Sequence, residues 1–385
     1  TRNDLARVDY DGSVSSLLVE PQRTNLIPYS EDFSNAAWSK SGSVTIESNS
    51  VTSPSGILDG SKLVSNNATS NQLIKESFGV NNGNDYTLSC FVKKQGFDYI
   101  HLRFEGGGGS FPTKSAFFNI NNGTLGTIDS GITATIEDYN NGWYRVTATN
   151  TATATATATI RIQLASSDNT DNVVGNGTSG TYIWGAQLEE GSYATSYIPT
   201  HGSTTTRAAD TCADAGTSQD FNSTEGVLFV EINYKNINSA WQGIALTNNN
   251  SVNNRIFIGT APNTKDLEVY FVSGGTTHWQ PDFELSNINQ FQKIAVKYKS
   301  NDLALWVNGV EVATSNLVST MPVGLSALGF FGFETSEPQY GEVKQLQVYK
   351  EALNGTRLTH LTGTLGTDFY ESYAEMASAL TYTIQ

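Results

Sequence analysis

The feature that most constrains this chain is a two-residue alternation of apolar and polar side chains that recurs from one end to the other. A β-strand points successive side chains to opposite faces, so a run of this period buries one face and leaves the other outward. Tyr86, Leu88, Cys90 and Val92 share one face, with Thr87, Ser89, Phe91 and Lys93 on the other. After a turn at Gly96, the same parity places Ile100, Leu102 and Phe104 inward and leaves Tyr99, His101 and Arg103 outward together. The run Thr151 to Ala158 alternates Thr with Ala and continues in the Ala parity through Ile160, Ile162 and Leu164. One long strand with a Thr-lined outer face is expected there, its register weakly specified before Ile160.

Turn residues punctuate these runs at Asn81-Asn82-Gly83, Asn121-Asn122-Gly123, Asn140-Asn141-Gly142 and Asn176-Gly177, all types that tolerate positive φ. Short strands with frequent turns predict a sandwich. At 385 residues the chain exceeds what one core organises, so two sandwiches are expected. The stretch from Pro199 to Gly216 lacks a sustained apolar pattern, which sets the expected boundaries: a first domain over 1–200, a linker over 201–220 and a second domain over 221–363. In that second part the alternation resumes at Val227 to Ile232, Arg255 to Ile258, Leu267 to Val272, Lys293 to Tyr298, Leu303 to Val307, Leu328 to Phe333 and Val343 to Tyr349. Residues 364–385 read differently. Asp368 with Glu371 has capping-box spacing, and Phe369, Tyr373, Met376, Ala377 and Leu380 recur at helical spacing, which predicts a C-terminal amphipathic helix docked on its own domain or on another subunit. The expected class is therefore all-β, two tandem antiparallel sandwiches with a short C-terminal helix.

A formal net charge of -15 argues against nucleic acid and anionic membranes as partners, since both reward clustered Lys and Arg. No apolar stretch reaches membrane-span length, so no membrane insertion is expected. No leader pattern opens the chain, which begins at Thr1, so this says little about export. Cys90 and Cys212 are too far apart to suggest a disulfide framework, and Cys90 reads as a small buried hydrophobe.

Two segments carry a family resemblance. Leu17 to Trp38 (LLVEPQRTNLIPYSEDFSNAAW) and Trp184 to Thr200 (WGAQLEEGSYATSYIPT) resemble paired hallmarks of a domain widespread in bacteriophage tail, fibre and head-spike proteins. The resemblance implies a carbohydrate-binding-module-like jelly roll for the first domain. Leu305-Trp306-Val307-Asn308-Gly309, then Gly341 to Tyr349 and Ala352-Leu353, resemble the laminin-G-like, concanavalin A-like lectin family, over roughly Phe221 to Gly363. Members of that family bind glycans or proteins, so no sugar site transfers with the likeness. Together the resemblances imply an extracellular or virion-surface protein that attaches to a host-surface or extracellular glycan, sits among other virion proteins and forms a homotrimer.

Lectins stack an aromatic ring on the apolar face of a sugar and fix its hydroxyls with polar side chains. The outward trio Tyr99, His101 and Arg103 fits that description; Phe91 would extend the same face, and Arg161 and Gln163 share its parity on another strand. The competing reading is a solvated or covered sheet face. Trp143 reads better as a core plug than as a rim residue, whereas Trp241 and Trp279, in loop-like contexts, are candidate surface contacts weighed evenly against burial. Asp168 and Asp171, in an oxygen-rich turn, are candidate calcium ligands against the blander reading of a hydrated turn; no other cofactor is implied. Local carboxylate clusters and the four histidines show no catalytic or metal-ligand spacing, so an enzyme is not expected. A structural decoration protein and a polysaccharide-degrading enzyme remain the alternatives.

Overall fold

The computed structural model describes residues 7–11, 14–235, 240–331 and 340–363. The helical reading of 364–385 lies outside the described residues. Among these residues the named strands pair antiparallel, in sheets that form two sandwiches, and the one helix is Gly355–Thr362. The described residues divide into two compact units, one spanning Gln22–Ala208 and the other joining residues up to Pro21 with those from Ala209 onward.

The first sandwich has two six-stranded sheets. One runs Thr124–Ile128, Lys114–Asn119, Tyr99–Gly106, Ala156–Ala165, Leu73–Val80, Ser39–Ser41; the other runs Thr133–Asp138, Trp143–Thr151, Asp85–Gln95, Gly180–Glu190, Leu58–Val64, Thr45–Thr52. We call them the charged sheet and the covered sheet, after their outer faces. The parity reading holds at the core: Leu88, Cys90, Val92, Ile100, Leu102, Phe104, Ile160, Ile162 and Leu164 are fully buried between the sheets. Burying each of the larger of these contributes on the order of 1.5–3 kcal/mol. Burial also pushes the Cys90 thiol up to about 12, in keeping with an inert core residue.

The Thr/Ala run is not one strand. Trp143–Thr151 belongs to the covered sheet and Ala156–Ala165 to the charged sheet, with the chain crossing between them at residues 152–155. Ala152 is buried at the crossing and donates its N–H to the Asn84 carbonyl (2.9 Å), while Thr153 donates to that of Ser110 (2.8 Å). Alternation survives a change of sheet, so it does not mark one.

The expected boundaries shift at both ends of the first sandwich. Val14–Val19 pairs not with the first sandwich but with Gly341–Tyr349, so the first domain begins near Gln22 rather than at 1. The reason is apolar and ionic: Leu17 and Val19 pack on the second core with Val343, and Arg7 pairs with Glu20 (2.7 Å) and Asp210. The expected linker over 201–220 is also structured. Thr205–Arg207 pairs with Arg23–Asn25, and Cys212–Ala215 joins a sheet of the second sandwich beside Ala327–Phe330.

The second sandwich has two seven-stranded sheets. All seven alternating segments read from the sequence lie wholly or partly on strands, with residues 332 and 333 of one of them outside the described set. Asn308 and Gly309 (φ 49° and 87°) make the expected tight hairpin between Leu303–Val307 and Val310–Ser315. Gln242–Asn248, which carries no alternating signature, is a further central strand, buried on both faces. Helix Gly355–Thr362 is capped by Asn354, whose side chain accepts from Arg357 N–H (3.0 Å), and its Leu358 lies with Phe229 and Trp306 on the outer face of one sheet. No helix among the described residues is long and apolar enough to cross a membrane.

Candidate functional site

Antiparallel pairing sets the charged sheet's outer face in rows. Arg103 lies opposite Arg161, and Arg161 lies opposite Lys75 on its other side, so three cations share one row. The neighbouring row sets Phe117, His101, Gln163 and Leu73 side by side. Tyr99 follows, opposite Asn119, whose amide donates to its hydroxyl (3.0 Å). The structure thus brings together Tyr99, His101, Arg103, Arg161 and Gln163. Lys75, which the sequence reading did not name, joins them; its parity with Arg161 becomes visible only with the register.

Cations opposite one another repel unless offset. Two carboxylates supply the offset: Glu105 contacts Arg161 Nη2 and lies 3.7 Å from Arg103 Nε, and Asp171 accepts from Arg103 Nη1 at 2.9 Å. Both guanidinium side chains keep about a fifth of their surface exposed (Arg103 21%, Arg161 18%). Lys75 is part-exposed, and its ammonium has no partner among the described residues.

His101 is outward by parity yet fully buried. The Phe117 ring packs on it at 4.4 Å, and Asp171 Oδ1 lies 3.6 Å from Nδ1, too far for a hydrogen bond. Neither ring nitrogen has a partner of good hydrogen-bond geometry. Burial lowers its pKa to about 4, against the opposing pull of Gln163 and Asp171, so the imidazole is neutral at pH 7. Gln163 is likewise buried and donates to the Asp171 carbonyl (2.8 Å). These two residues shape the face from beneath rather than present themselves at it.

Asp168 and Asp171, the candidate calcium ligands, are engaged by different groups. Asp168 accepts from Thr127 N (2.7 Å) and Oγ1 (2.9 Å), while Asp171 faces the Arg103 guanidinium. Among the described residues, no three His, Cys, Asp or Glu side chains gather in one place that could hold a metal ion.

The reading of Phe91 is corrected. Asp85–Gln95 and Tyr99–Gly106 lie in different sheets, so Phe91 is on the opposite outer face. There it is buried at 3% exposure, ringed by Tyr139 (4.8 Å), Trp184 (5.3 Å) and Tyr197 (6.1 Å), with the Arg145 guanidinium 5.4 Å from its centroid. Trp143 is buried as expected, but in this outer cluster rather than the core, its indole donating to the Thr52 carbonyl (3.0 Å).

The two hallmark segments meet in a buried polar network. Asn25 donates to the carbonyls of Ala186 (3.2 Å) and Ile198 (2.9 Å) and accepts from the N–H of Ile27 (3.1 Å) and Leu188 (3.2 Å). Glu189 accepts from Gln187 Nε2 (2.8 Å), Thr195 N (2.8 Å) and Thr195 Oγ1 (2.7 Å). Tyr197 donates to Glu31 (2.9 Å) and lies 2.6 Å from the Ser30 hydroxyl. With buried polar groups so fully bonded, the motif lashes the segment Ser192 to Thr200 over the covered sheet.

In the second sandwich, Trp241 is half-buried and meets Tyr270 (5.5 Å) and Phe257 (6.1 Å) edge-on. Trp279 pairs with Phe271 and is half-buried, one side packed against the second core. Trp241 and Trp279 therefore do not form one face. A cleft lined by Gln22, Arg23, Thr24, Leu26 and Glu190 shares no residue with the charged row.

A protein-family model described as the concanavalin A-like lectin/glucanases superfamily matches residues 219–359. Among solved structures, the chain is similar to the Ruminococcus gnavus IT-sialidase CBM40 (TM-score 0.32, 15% identity, covering 40% of this chain and 94% of that one). It is also similar to a heptameric SAP-like pentraxin from Limulus polyphemus (TM-score 0.33, 15% identity, covering 40% and 76%). No curated protein matches the sequence. The chain is an all-β protein of two antiparallel sandwiches, of which residues 219–359 form a concanavalin A-like domain.

Proposed function

We propose that this chain is a non-catalytic glycan-binding protein whose principal ligand face is the outer side of the charged sheet, and that it acts as an adhesin on a virion or comparable extracellular surface. The observation that carries the reading is the row Lys75, Arg161 and Arg103 beside Tyr99: part-exposed donors on a rigid sheet, positioned by register and by buried neighbours. The face's own carboxylates, Glu105 and Asp171, are held in ion pairs with guanidiniums, an arrangement suited to orienting donors rather than to attacking a bond. The concanavalin A-like domain at 219–359 is consistent with a carbohydrate role. The hallmark segments Leu17 to Trp38 and Trp184 to Thr200 support the phage assignment. A homotrimer would turn weak single sites into useful avidity.

The test is a glycan array probed with the whole chain, with and without calcium, comparing wild type with Tyr99→Ala/Arg103→Ala, and with light scattering to give the oligomeric state. Calcium-independent binding lost in the variant supports the reading. A folded sample that binds no glycan, or a variant that binds as well as wild type, removes it; retention of virion proteins instead would favour a decoration role.

A further inference from the structure

We infer that the charged face selects a glycan bearing a sugar carboxylate and holds that carboxylate at the Lys75 end of the row; this rests on the glycan-binding reading above. The row holds three cations and two carboxylates beside it offset them, which leaves one positive charge over. Arg103 is engaged by both Glu105 and Asp171, and Arg161 by Glu105 through Nη2 alone. The surplus charge therefore sits at Lys75, whose direct neighbour is Arg161. Beside Lys75 the surface is hydrogen-bonding: Ser39 lies opposite it, and the hydroxyls of Ser77 and Thr159 bond each other at 2.9 Å on the next row, which continues to the Glu105 already counted. One anionic group completes the charge balance, and a guanidinium edge beside an ammonium suits a planar carboxylate.

The wider field limits what that anion is. Residues 22–208 hold eleven Lys and Arg against fifteen Asp and Glu, a formal -4, so the row is a local positive spot on an acidic sandwich. A polymer with closely spaced charges meets repulsion at every further charge. A glycan with one carboxylate among neutral sugars gains the local pairing and little of that penalty.

The experiment uses an array carrying uronate-bearing and sialate-bearing oligosaccharides, each beside its carboxyl-reduced counterpart, with neutral and sulfated glycans alongside. Wild type is expected to bind a carboxylate form about tenfold more tightly than its reduced form, the scale of a hydrogen-bonded charge contact. Lys75→Gln, at a side chain without an internal partner, is expected to erase most of that preference, and Lys75→Arg to keep it. Equal binding of the acid and reduced forms, a preference for sulfate, or a Lys75→Gln variant that still discriminates overturns the inference while leaving glycan binding in place. Absence of binding to every glycan overturns both.

Discussion

The two outer faces of the first sandwich have the same alternating origin and opposite fates. On the covered sheet, Phe91, Trp143 and Trp184 lie beneath a strap that the Asn25, Gln187 and Glu189 network fastens down. On the charged sheet, Phe117 and Asp171 close over His101 and Gln163 only, and the cation row beside them keeps access to water. Outward parity says which side of a sheet a residue takes. Whether that side meets solvent depends on what the rest of the chain lays across it.

Three substitutions sharpen or break this contrast. The largest effect is expected from Phe91→Ala, which empties the centre of the covered face. A loss of about 3–5 kcal/mol, read from denaturant unfolding, is the scale for a buried aromatic, with no specific effect on glycan selectivity. A loss under about 1 kcal/mol would mean that the strap is not seated on the sheet.

Next in size is Glu189→Ala. It leaves the Thr195 N–H and hydroxyl without their acceptor and the Gln187 amide with only the Thr195 carbonyl at 3.4 Å, at a cost of about 2–4 kcal/mol. If the network fastens the strap, amide exchange around Thr195 to Tyr197 rises more than exchange in Tyr99–Gly106. Uniform change across both sheets would refute that division.

The smallest effect belongs to the charged face and depends on pH. His101 has a folded-state pKa of about 4, below the usual 6.5, so the unfolded chain binds the extra proton first. Its contribution is present above pH 6.5 and is lost as pH falls toward 4. The side chains around it are Phe117, Gln163, Asp171, Arg103 and Arg161. His101→Gln should remove much of that acid-dependent loss, seen as a flatter melting temperature between pH 6.5 and 4 than in wild type. Parallel profiles for the two proteins would show that the imidazole is solvated after all.

Much of the candidate site was legible before the structure. Tyr99, His101 and Arg103 follow from the inward set Ile100, Leu102 and Phe104, and Arg161 and Gln163 from Ile160, Ile162 and Leu164. Lys75 was missed because its strand, Leu73–Val80, mixes its parities, with Glu76 and Phe78 on the inner side. Glu76 is half-buried there with one oxygen unpartnered, and burial raises its pKa to about 7, so a charged residue type stood where the pattern called for an apolar one. Phe91 was misplaced because the short connection after Gln95 changes sheets, which looks in sequence like a hairpin turn.

By itself the sequence determined the alternating strands and their inward faces, the tight turns and the two-sandwich class, because these rest on a two-residue period and on residues that tolerate positive φ. Only the tertiary structure decided which sheet each strand joins, that Val14–Val19 completes the second sandwich beside Gly341–Tyr349, and which outward residues are covered. Those outcomes depend on contacts between segments separated by up to hundreds of residues, whose side-chain pattern is the same whichever partner they find.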